Sequence, residues 1–524
     1  MNLNPNNGRP EVNKWLVTIA VMAGTFMEII DTTVVNVALP HMAGSLSAGV
    51  DEATWVLTAY LVSNAIVLPI TGWLSALFGR KRFLMICLVL FTVSSMLCGS
   101  APNLESLIVF RIFQGIGGGA LQPISQAILL ESFPVQERGM AMAVWGIGVI
   151  FAPIIGPLLG GWITDNLSWR WAFYINFPIG IFSLIMTALF IFDPDYIKKQ
   201  KAGSIDYVGL SFLVVGLGCL QVVLDKGERE DWFSSAFILR LAIMSITSLI
   251  LLIYWELKTR HPVVDLRLFK ERNYAAGVTI FFFFGFVLYG SIMLLPLYLQ
   301  TLMGYDATLA GWALAFGGIG SLMVLPIVGR LTQVMDGRWL VGVGLLLNAL
   351  AVYMMSNYNT QIDFFTAWFP RFIQGFGLGT TFVSLTTLTM ARISQEKMGN
   401  ATGIFNLMRN LGGSFGIATA TTLLARRGQL HQSRLVEHLS PLDLPFQTWQ
   451  HRIGELIPGL TPNWHWWQAH QPMGALYLEV QRQAQMLAFS DDYWFFTLVF
   501  LSLLPLVFLM RRAPKAAEGP GLGH

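Results

Sequence analysis

Apolar runs long enough to cross a lipid bilayer recur along the whole chain. A helix of about 20 residues spans the hydrocarbon core of a bilayer. Such runs lie at about 15–37, 55–77, 83–100, 104–129, 139–162, 171–192, 207–224, 235–257, 274–297, 309–328, 339–356, 364–389, 399–424 and 492–510. The sequence therefore predicts an all-α integral membrane protein with fourteen transmembrane helices.

The composition excludes the soluble alternatives. Of the 524 residues, 54% are hydrophobic and 12% are charged, whereas soluble chains carry about 25% charged residues. A soluble multidomain protein, a disordered chain, a coiled coil and a disulfide scaffold are therefore excluded. The net charge of +3 is too small to indicate a nucleic-acid partner. The histidines lie outside the apolar runs, without the spacing of metal ligands, so neither a metal site nor a cofactor is predicted.

Positive charges are distributed unevenly between alternate connections. Those on the side of the two termini contain 21 of the 33 Lys and Arg residues, and those on the other side contain 8. Cytoplasmic connections are enriched in these residues, so both termini are predicted to be cytoplasmic. One connection is long. It covers 426–491, is polar and rich in Trp and Gln, and is predicted on the outer side.

An internal repeat divides the chain. The pattern R-x-x-Q-G-x-G-x-G occurs at 111–119 and again at 371–379, an offset of 260 residues. For these two segments to be equivalent, a second six-helix half must begin at the ninth span. The sequence predicts an N-terminal half over 1–200, two inserted transmembrane helices with linkers over 201–272, and a C-terminal half over 273–524 that includes the connection 426–491. Such a 6+2+6 plan matches parallel repeats about an axis along the membrane normal.

Several motifs carry a resemblance to a known family. They are DTTVVNVALP at 31–40, WVLTAY at 55–60, the arginine motif at 111–119, GPLLGG at 156–161 and PVVDLRLF at 262–269. Together they resemble the major facilitator superfamily, in particular its fourteen-span drug:proton antiporters and, among these, the EmrB-type multidrug exporters.

The resemblance implies a function. We expect a proton-coupled exporter of hydrophobic or amphipathic drugs and toxic small molecules in the bacterial inner membrane, without enzymatic activity. The alternative on the same fold is an exporter or facilitator of one specific metabolite or siderophore. A membrane enzyme acting on lipids is disfavoured, because no cluster of polar catalytic groups lies near one interface. A channel is disfavoured because the repeat indicates two alternating halves.

Two carboxylates in the first span are the sharpest chemical signal. Glu28 and Asp31 are spaced i, i+3 and share one helix face. Ionising both in a low dielectric is unfavourable, so one of them can hold a proton near neutral pH. We expect Asp31 to couple transport to protons, with Glu28 as a second candidate, and the resemblance implies that Arg111 senses whether the first-span acid is charged. The competing interpretation is a permanent structural ion pair with Arg111.

Two further arginines lie within apolar spans. Arg371 is the repeat mate of Arg111 and is expected to be structural, with its side chain reaching towards the outer interface. Arg409 matches a family pattern. With the resemblance, we expect a mostly apolar substrate pocket between the halves, whose pocket or gating residues are Asn36, Tyr60, Asn64, Gln114, Gln374 and Arg409.

Small residues in the fifth span resemble the antiporter motif. They permit either close approach between the halves or ordinary helix packing, and the resemblance favours gating by Gly146, Gly156, Pro157, Gly160 and Gly161. The run Arg80-Lys81-Arg82 follows an incomplete cytoplasmic-gate motif and is expected to anchor the topology. The connection 426–491 is expected either to dock a periplasmic adaptor leading to an outer-membrane channel, or to cap the bilayer through its tryptophans, Trp449, Trp464, Trp466 and Trp467.

Overall fold

The described part of the chain consists of helices and their connections, without strands. The computed structural model describes residues 13–193, 206–259, 262–437, 439, 447–448 and 465–512. Fourteen long helical passes lie within these ranges, and two of them, α4 and α6, are made of two consecutive helices. This agrees with the all-α prediction.

The passes follow the chain order of the apolar runs. They are α1 (Lys14–Ser45), α2 (Trp55–Phe78), α3 (Arg80–Gly99), α4 (Leu104–Gly118 and Leu121–Ser132), α5 (Arg138–Asn166), α6 (Trp171–Tyr174 and Asn176–Phe190), α7 (Tyr207–Lys226), α8 (Ala236–Lys258), α9 (Arg272–Thr301), α10 (Ala307–Val334), α11 (Gly337–Ser356), α12 (Phe364–Met390), α13 (Met398–Glu437) and α14 (His465–Leu509).

Polar residues in the connections start many of these helices. The Asn13 side chain accepts a hydrogen bond from Trp15 N at 2.9 Å, and Asn103 accepts one from Ser106 N at 2.9 Å. Asp306 caps α10 in the same way. A side-chain oxygen at this position satisfies a backbone N–H that has no partner within the helix. The boundaries between spans are thus encoded by short polar residues between apolar runs.

The helices form two groups joined along two seams. At one seam α2 packs against α13, and at the other α5 packs against α10. The inserted helix α7 contacts both groups, because Asp225 hydrogen-bonds Thr58 in α2 and Gln221 Nε2 donates to Ser414 Oγ in α13 at 3.0 Å. α8 packs on α7. The inserted pair therefore lies over the seam between α2 and α13.

Eleven helices among the described residues are long and apolar enough to cross a membrane. Of the other three passes, α12 has 27 residues and α13 has 40, and both are less apolar, whereas α5 has 29 residues, of which Arg138–Ala152 form an apolar helix. In α12 and α13 this is because polar side chains such as Gln374 and Asn406 are directed into the protein, where both are fully buried. The count of fourteen transmembrane helices stays a prediction.

The predicted bounds of the long connection, 426–491, differ from the helix ends in the structure on both sides. α13 continues as a helix to Glu437 and α14 already begins at His465, so helices cover much of 426–491. The segment is polar on average, but it contains apolar residues that are buried along α14, among them Val480, Met486 and Phe489. Trp449 and Trp464 lie outside the described residues, as do the side chains of Trp466 and Trp467.

Candidate functional site: a buried charge network and the cavity between the halves

Asp31 lies at the centre of a fully buried polar cluster. Its carboxylate accepts hydrogen bonds from Arg111 Nη1 at 2.6 Å, Gln114 Nε2 at 2.8 Å and Asn176 Nδ2 at 2.7 Å. Both Asp31 and Arg111 are 0% exposed. Further hydrogen bonds help to offset the cost of burying an ion pair, and Gln114 and Asn176 supply such bonds to the Asp31 carboxylate. The predicted proximity of Asp31 and Arg111 is thus what the structure shows.

Arg111 is held by more than its carboxylate. Its Nε donates to the Val56 carbonyl oxygen at 3.2 Å, and its Nη1 also donates to Gln114 Oε1 at 2.8 Å. The guanidinium carbon lies 4.2 Å from the centre of the Tyr60 ring, which is a cation–π distance. Four passes, α1, α2, α4 and α6, therefore contribute to one site.

Glu28 lies one helical turn away from Asp31 and has different partners. Its carboxylate accepts hydrogen bonds from Tyr60 Oη at 3.2 Å, Asn64 Nδ2 at 3.2 Å and Gln122 Nε2 at 2.6 Å. No cation is within ion-pair distance of Glu28 among the described side chains. An ionised carboxylate that is buried without a directly bonded cation is costly, and taking up a proton removes that cost. The chemistry of Glu28 suits reversible protonation.

Gln122 connects Glu28 to the other half of the protein. While its Nε2 donates to Glu28, its Oε1 accepts a hydrogen bond from Arg409 Nη2 in α13 at 2.6 Å. A second bond between the halves follows one turn along, where Asn406 Nδ2 donates to Gln126 Oε1 at 2.7 Å. Both glutamines belong to α4. The state of a carboxylate in the first half is thus coupled through one side chain to an arginine in the second.

The halves are packed closely at the end of the bundle where α1 begins and α14 ends, which we call the terminal end. A Cβ atom added at Gly399 would lie 3.2 Å from the Cα atom of Gly72, and one added at Gly329 would lie 3.3 Å from the Cα atom of Met140. These are contacts of α13 with α2 and of α10 with α5. Both seams are therefore closed at the terminal end.

Arg80 strengthens this closure. Its side chain is 4% exposed, it forms an ion pair with Glu131 in α4, and its Nη2 donates to the Gln395 carbonyl oxygen of the other half at 3.4 Å. The Arg80 guanidinium thus points into the protein, and the anchoring of the topology by the run Arg80-Lys81-Arg82 stays a prediction. The ion pair is not predictable from the sequence, because Glu131 belongs to a different span from Arg80.

A cavity of about 470 Å³ lies between the halves. Its wall is mainly apolar, and it reaches the opposite, far end of the bundle, where Trp162 and Asp165 are exposed. Two further charged residues line it, Arg371 and Arg409. The apolar part of the wall includes Val149, Phe284, Leu288, Leu314, Leu378 and Phe382. With the terminal end closed, the structure presents this cavity to the far end.

Of the six residues that the sequence assigns to the substrate pocket or its gates, Arg409 lines this cavity. Tyr60 and Asn64 do not. They are buried and hydrogen-bond Glu28 instead. Asn36 is exposed and is not among the lining residues. In the structure Tyr60 and Asn64 therefore hold the Glu28 carboxylate, and their role in the substrate pocket or its gates stays a prediction.

The two repeat glutamines also lie behind the cavity wall. Gln114 hydrogen-bonds Asp31, and Gln374 Nε2 donates to Ser291 Oγ at 3.1 Å. Each also accepts a hydrogen bond from the arginine three residues before it, Arg111 or Arg371. Their shared function is to orient an arginine, since the spacing of three residues puts both side chains on one helix face.

The Arg371 side chain does not reach the outer interface, contrary to the expectation from the sequence. It is 5% exposed, and its Nε has no hydrogen-bond partner among the described residues. The added Cβ of Gly317 would lie 2.9 Å from that Nε, so glycine at 317 leaves room for the guanidinium. The snorkelling interpretation is wrong because the surrounding helices enclose the side chain on the cavity side.

The glycines of the antiporter motif divide into two groups. Gly146 faces the other half, since its added Cβ would lie 3.2 Å from Leu325 Cδ2. Gly156 and Gly160 instead pack against α1 within the same half, and Gly160 would meet the Val34 backbone at 3.2 Å. A Cβ atom added at Gly161 would meet no other described part of the chain within 4 Å, and Gly161 lines the cavity.

Direct contact between the halves is therefore confined to Gly146 among the described motif glycines, and the expected contact is corrected for Gly156 and Gly160. Pro157 belongs to α5, and its side chain lies outside the part that the structure describes. A gating role for the motif stays a prediction.

Polar residues within apolar spans are a usable signal of further site residues. Asn176 and Gln122 both lie inside predicted spans, where a polar side chain needs a partner. Each hydrogen-bonds a carboxylate of α1 in the structure. Their partners in α1 are not predictable from the sequence, because no regular spacing relates residues of different spans.

Comparison with known proteins decides the family. The model of the Major Facilitator Superfamily matches residues 21–417. The chain belongs to this superfamily. The superfamily consists of transporters, so the predicted fold and the prediction that the protein is not an enzyme are confirmed.

The transporter is similar over nearly its whole length to multidrug export proteins. The Multidrug export protein EmrB of Haemophilus influenzae is 37% identical over 497 residues, which are 95% of each chain. EmrB of Escherichia coli K12 is 36% identical and covers 97% of this chain and 98% of its own. The Fatty acid resistance protein FarB of Neisseria gonorrhoeae is 36% identical, with 97% coverage of both. The chain therefore belongs with the EmrB-type exporters.

A solved structure supports the fold. The human organic anion transporter MFSD10 matches with a TM-score of 0.60 at 14% sequence identity, covering 94% of this chain and 100% of that one. The transporter is thus a multi-pass membrane protein of the major-facilitator fold.

Proposed function

We propose that the transporter exports hydrophobic or amphipathic drugs and toxic small molecules in exchange for protons. Its relatives are named for multidrug export and for fatty acid resistance. The observation that carries the proposal is the buried pair of Asp31 and Arg111, with Glu28 beside it, next to an apolar cavity between the halves. The pair provides a site for protons, and the cavity provides a site for substrate.

The proposed coupling begins at the carboxylates. A proton on Asp31 removes the charge that holds Arg111, and a proton on Glu28 weakens the bond that positions Gln122 against Arg409. Loss of the second contact loosens one half from the other. Each proton that moves inwards supplies about 2.3 kcal/mol per 100 mV of membrane potential. The energy of the gradient thereby biases the two halves between access states.

The orientation follows from the distribution of positive charge. We place both termini in the cytoplasm and the protein in the bacterial inner membrane, because connections at the terminal end carry most of the Lys and Arg residues. In this orientation the cavity faces the outside, which is the state that releases an exported substrate.

The far end also offers a surface for a partner. α13 has 40 residues and α14 has 45, so each is roughly 60 Å long or more, twice the thickness of the hydrocarbon core of a bilayer. Their far-end parts contact each other where Asp491 pairs with Arg427 and His431. We propose that this pair of projecting helices docks a periplasmic adaptor that leads to an outer-membrane channel. A cap on the bilayer surface is the alternative.

The proposal is tested with purified protein in liposomes that are acidic inside. Adding a drug outside should raise the internal pH, because antiport moves protons out as the drug moves in. The rate should saturate with drug concentration and be absent from liposomes without protein. Drug uptake with no change in internal pH would instead indicate a facilitator. A response to one metabolite or siderophore, with none to drugs, would favour the narrower alternative.

A further inference from the structure

Arg371 carries a buried charge that the described chain does not neutralise. The residue is 5% exposed, and no carboxylate of the described residues is within ion-pair distance of it. It hydrogen-bonds the neutral amide of Gln374, and the titratable groups that face it are the phenols of Tyr358 and Tyr493. A buried cation without a counter-charge is unfavourable, so such a group marks a site that an anion completes.

Repeat symmetry explains what is missing. In the first half Arg111 and Gln114 both bond Asp31. The offset of 260 residues relates Asp31 to Ser291, and in the second half Gln374 bonds Ser291 just as Gln114 bonds Asp31. The second site therefore keeps the arginine and the glutamine but has a hydroxyl in place of the carboxylate. Among the described residues, no carboxylate therefore takes the position relative to Arg371 that Asp31 takes relative to Arg111.

Arg371 also lines the cavity, which the buried Arg111 does not. The apolar side chains of Leu314, Leu378 and Phe382 line the same space. The other cavity arginine, Arg409, already donates hydrogen bonds to Gln122 and Asn410. Arg371 is thus a cavity cation whose hydrogen-bonding capacity is only partly used, since its Nε has no partner among the described residues.

We propose that Arg371 binds the anionic head group of lipophilic substrates, whose apolar body then packs against the cavity wall. The substrate carboxylate takes the position relative to Arg371 that Asp31 takes relative to Arg111. A guanidinium is suited to this, because its planar N–H groups match a carboxylate. The inference rests on the proposed export function only in taking the cavity as the substrate site.

The test compares three naphthalene probes that differ in charge: 1-naphthoate, 1-naphthalenemethanol and 1-naphthylmethylammonium. Their affinities are measured by calorimetry at pH 8 with the full-length protein in lipid nanodiscs, without a proton gradient. We expect the native protein to bind the anion about tenfold more tightly than the alcohol. Arg371→Gln should bind the two equally, through loss of affinity for the anion alone. Arg371→Lys should retain part of the preference.

A second variant keeps the arginine. Ser291→Asp supplies the missing carboxylate and rebuilds the trio of the first half, so the anion preference should disappear while the protein stays folded. Arg338→Gln, in which the altered arginine is partly exposed and paired with Asp336, is the matched control and should bind like the native protein. An unchanged anion preference in Arg371→Gln and in Ser291→Asp overturns the inference, as does the absence of a preference in the native protein. Because binding is measured without a gradient, neither result depends on proton antiport.

Discussion

Replacing Asp31 by Asn is expected to abolish proton-driven export while leaving drug binding intact. The asparagine keeps the shape of the side chain but cannot exchange a proton. Asp31 is not among the lining residues of the cavity, so the substrate site is unchanged. Export into everted membrane vesicles should fall to the level of vesicles without the protein, and drug affinity of the purified variant should equal that of the native protein.

The same substitution leaves Arg111 buried without its counter-charge, which costs about 3–5 kcal/mol of folding stability. The double variant Asp31→Asn/Arg111→Gln restores neutrality and should recover much of the melting temperature without recovering export. Asp31→Glu, which keeps a titratable group, should retain part of the activity. Full export by the single or the double variant would remove Asp31 from the mechanism.

Replacing Gly72 by Val is expected to prevent closure of the terminal end. In the closed state a side chain at this position would collide with the backbone of Asn400, whose Cα lies 2.5 Å from the Cβ position of Gly72. Backbone atoms cannot move aside as a flexible side chain does, so the halves must separate. Export should be lost, because the outward-facing state is not reached.

The matched control is Gly342→Val, since no atom of another described part of the chain lies within 4 Å of the Cβ position of Gly342. Spin labels on exposed positions 78 and 396 report the separation of the halves. The distance between them should increase in Gly72→Val and stay native in Gly342→Val. A native distance with native export in Gly72→Val would show that the contact between α2 and α13 does not govern access.

Part of the candidate site is predictable because it rests on local spacing and on solvation cost. Glu28 and Asp31 share a helix face, and each is a charge within an apolar run, so both need a partner or a proton. Arg111 is also a charge within an apolar run, so the sequence predicts it as the cationic partner of these carboxylates. In the structure Arg111 Nη1 lies 2.6 Å from Asp31 Oδ2. Helix order also follows from the apolar runs, and the 6+2+6 plan indicated by the repeat stays a prediction.

The remaining errors have a common physical cause, which is that partners from different spans cannot be paired from the sequence. The ion pair of Arg80 with Glu131 is not predicted, because the two residues lie far apart in the chain. Tyr60 and Asn64 are polar residues of a pore-lining type, yet they are directed towards Glu28. Arg371 was expected at the interface because its depth depends on how neighbouring helices pack.

Proton release on drug binding tests the central claim most directly. The detergent-solubilised protein is mixed with drug in weakly buffered solution at pH 7, and the protons released are measured with a pH indicator. We predict that the native protein releases protons in proportion to bound drug, and that Asp31→Asn/Glu28→Gln binds drug but releases none. Equal release by the native protein and the double variant would contradict the assignment of the coupled protons to these two carboxylates.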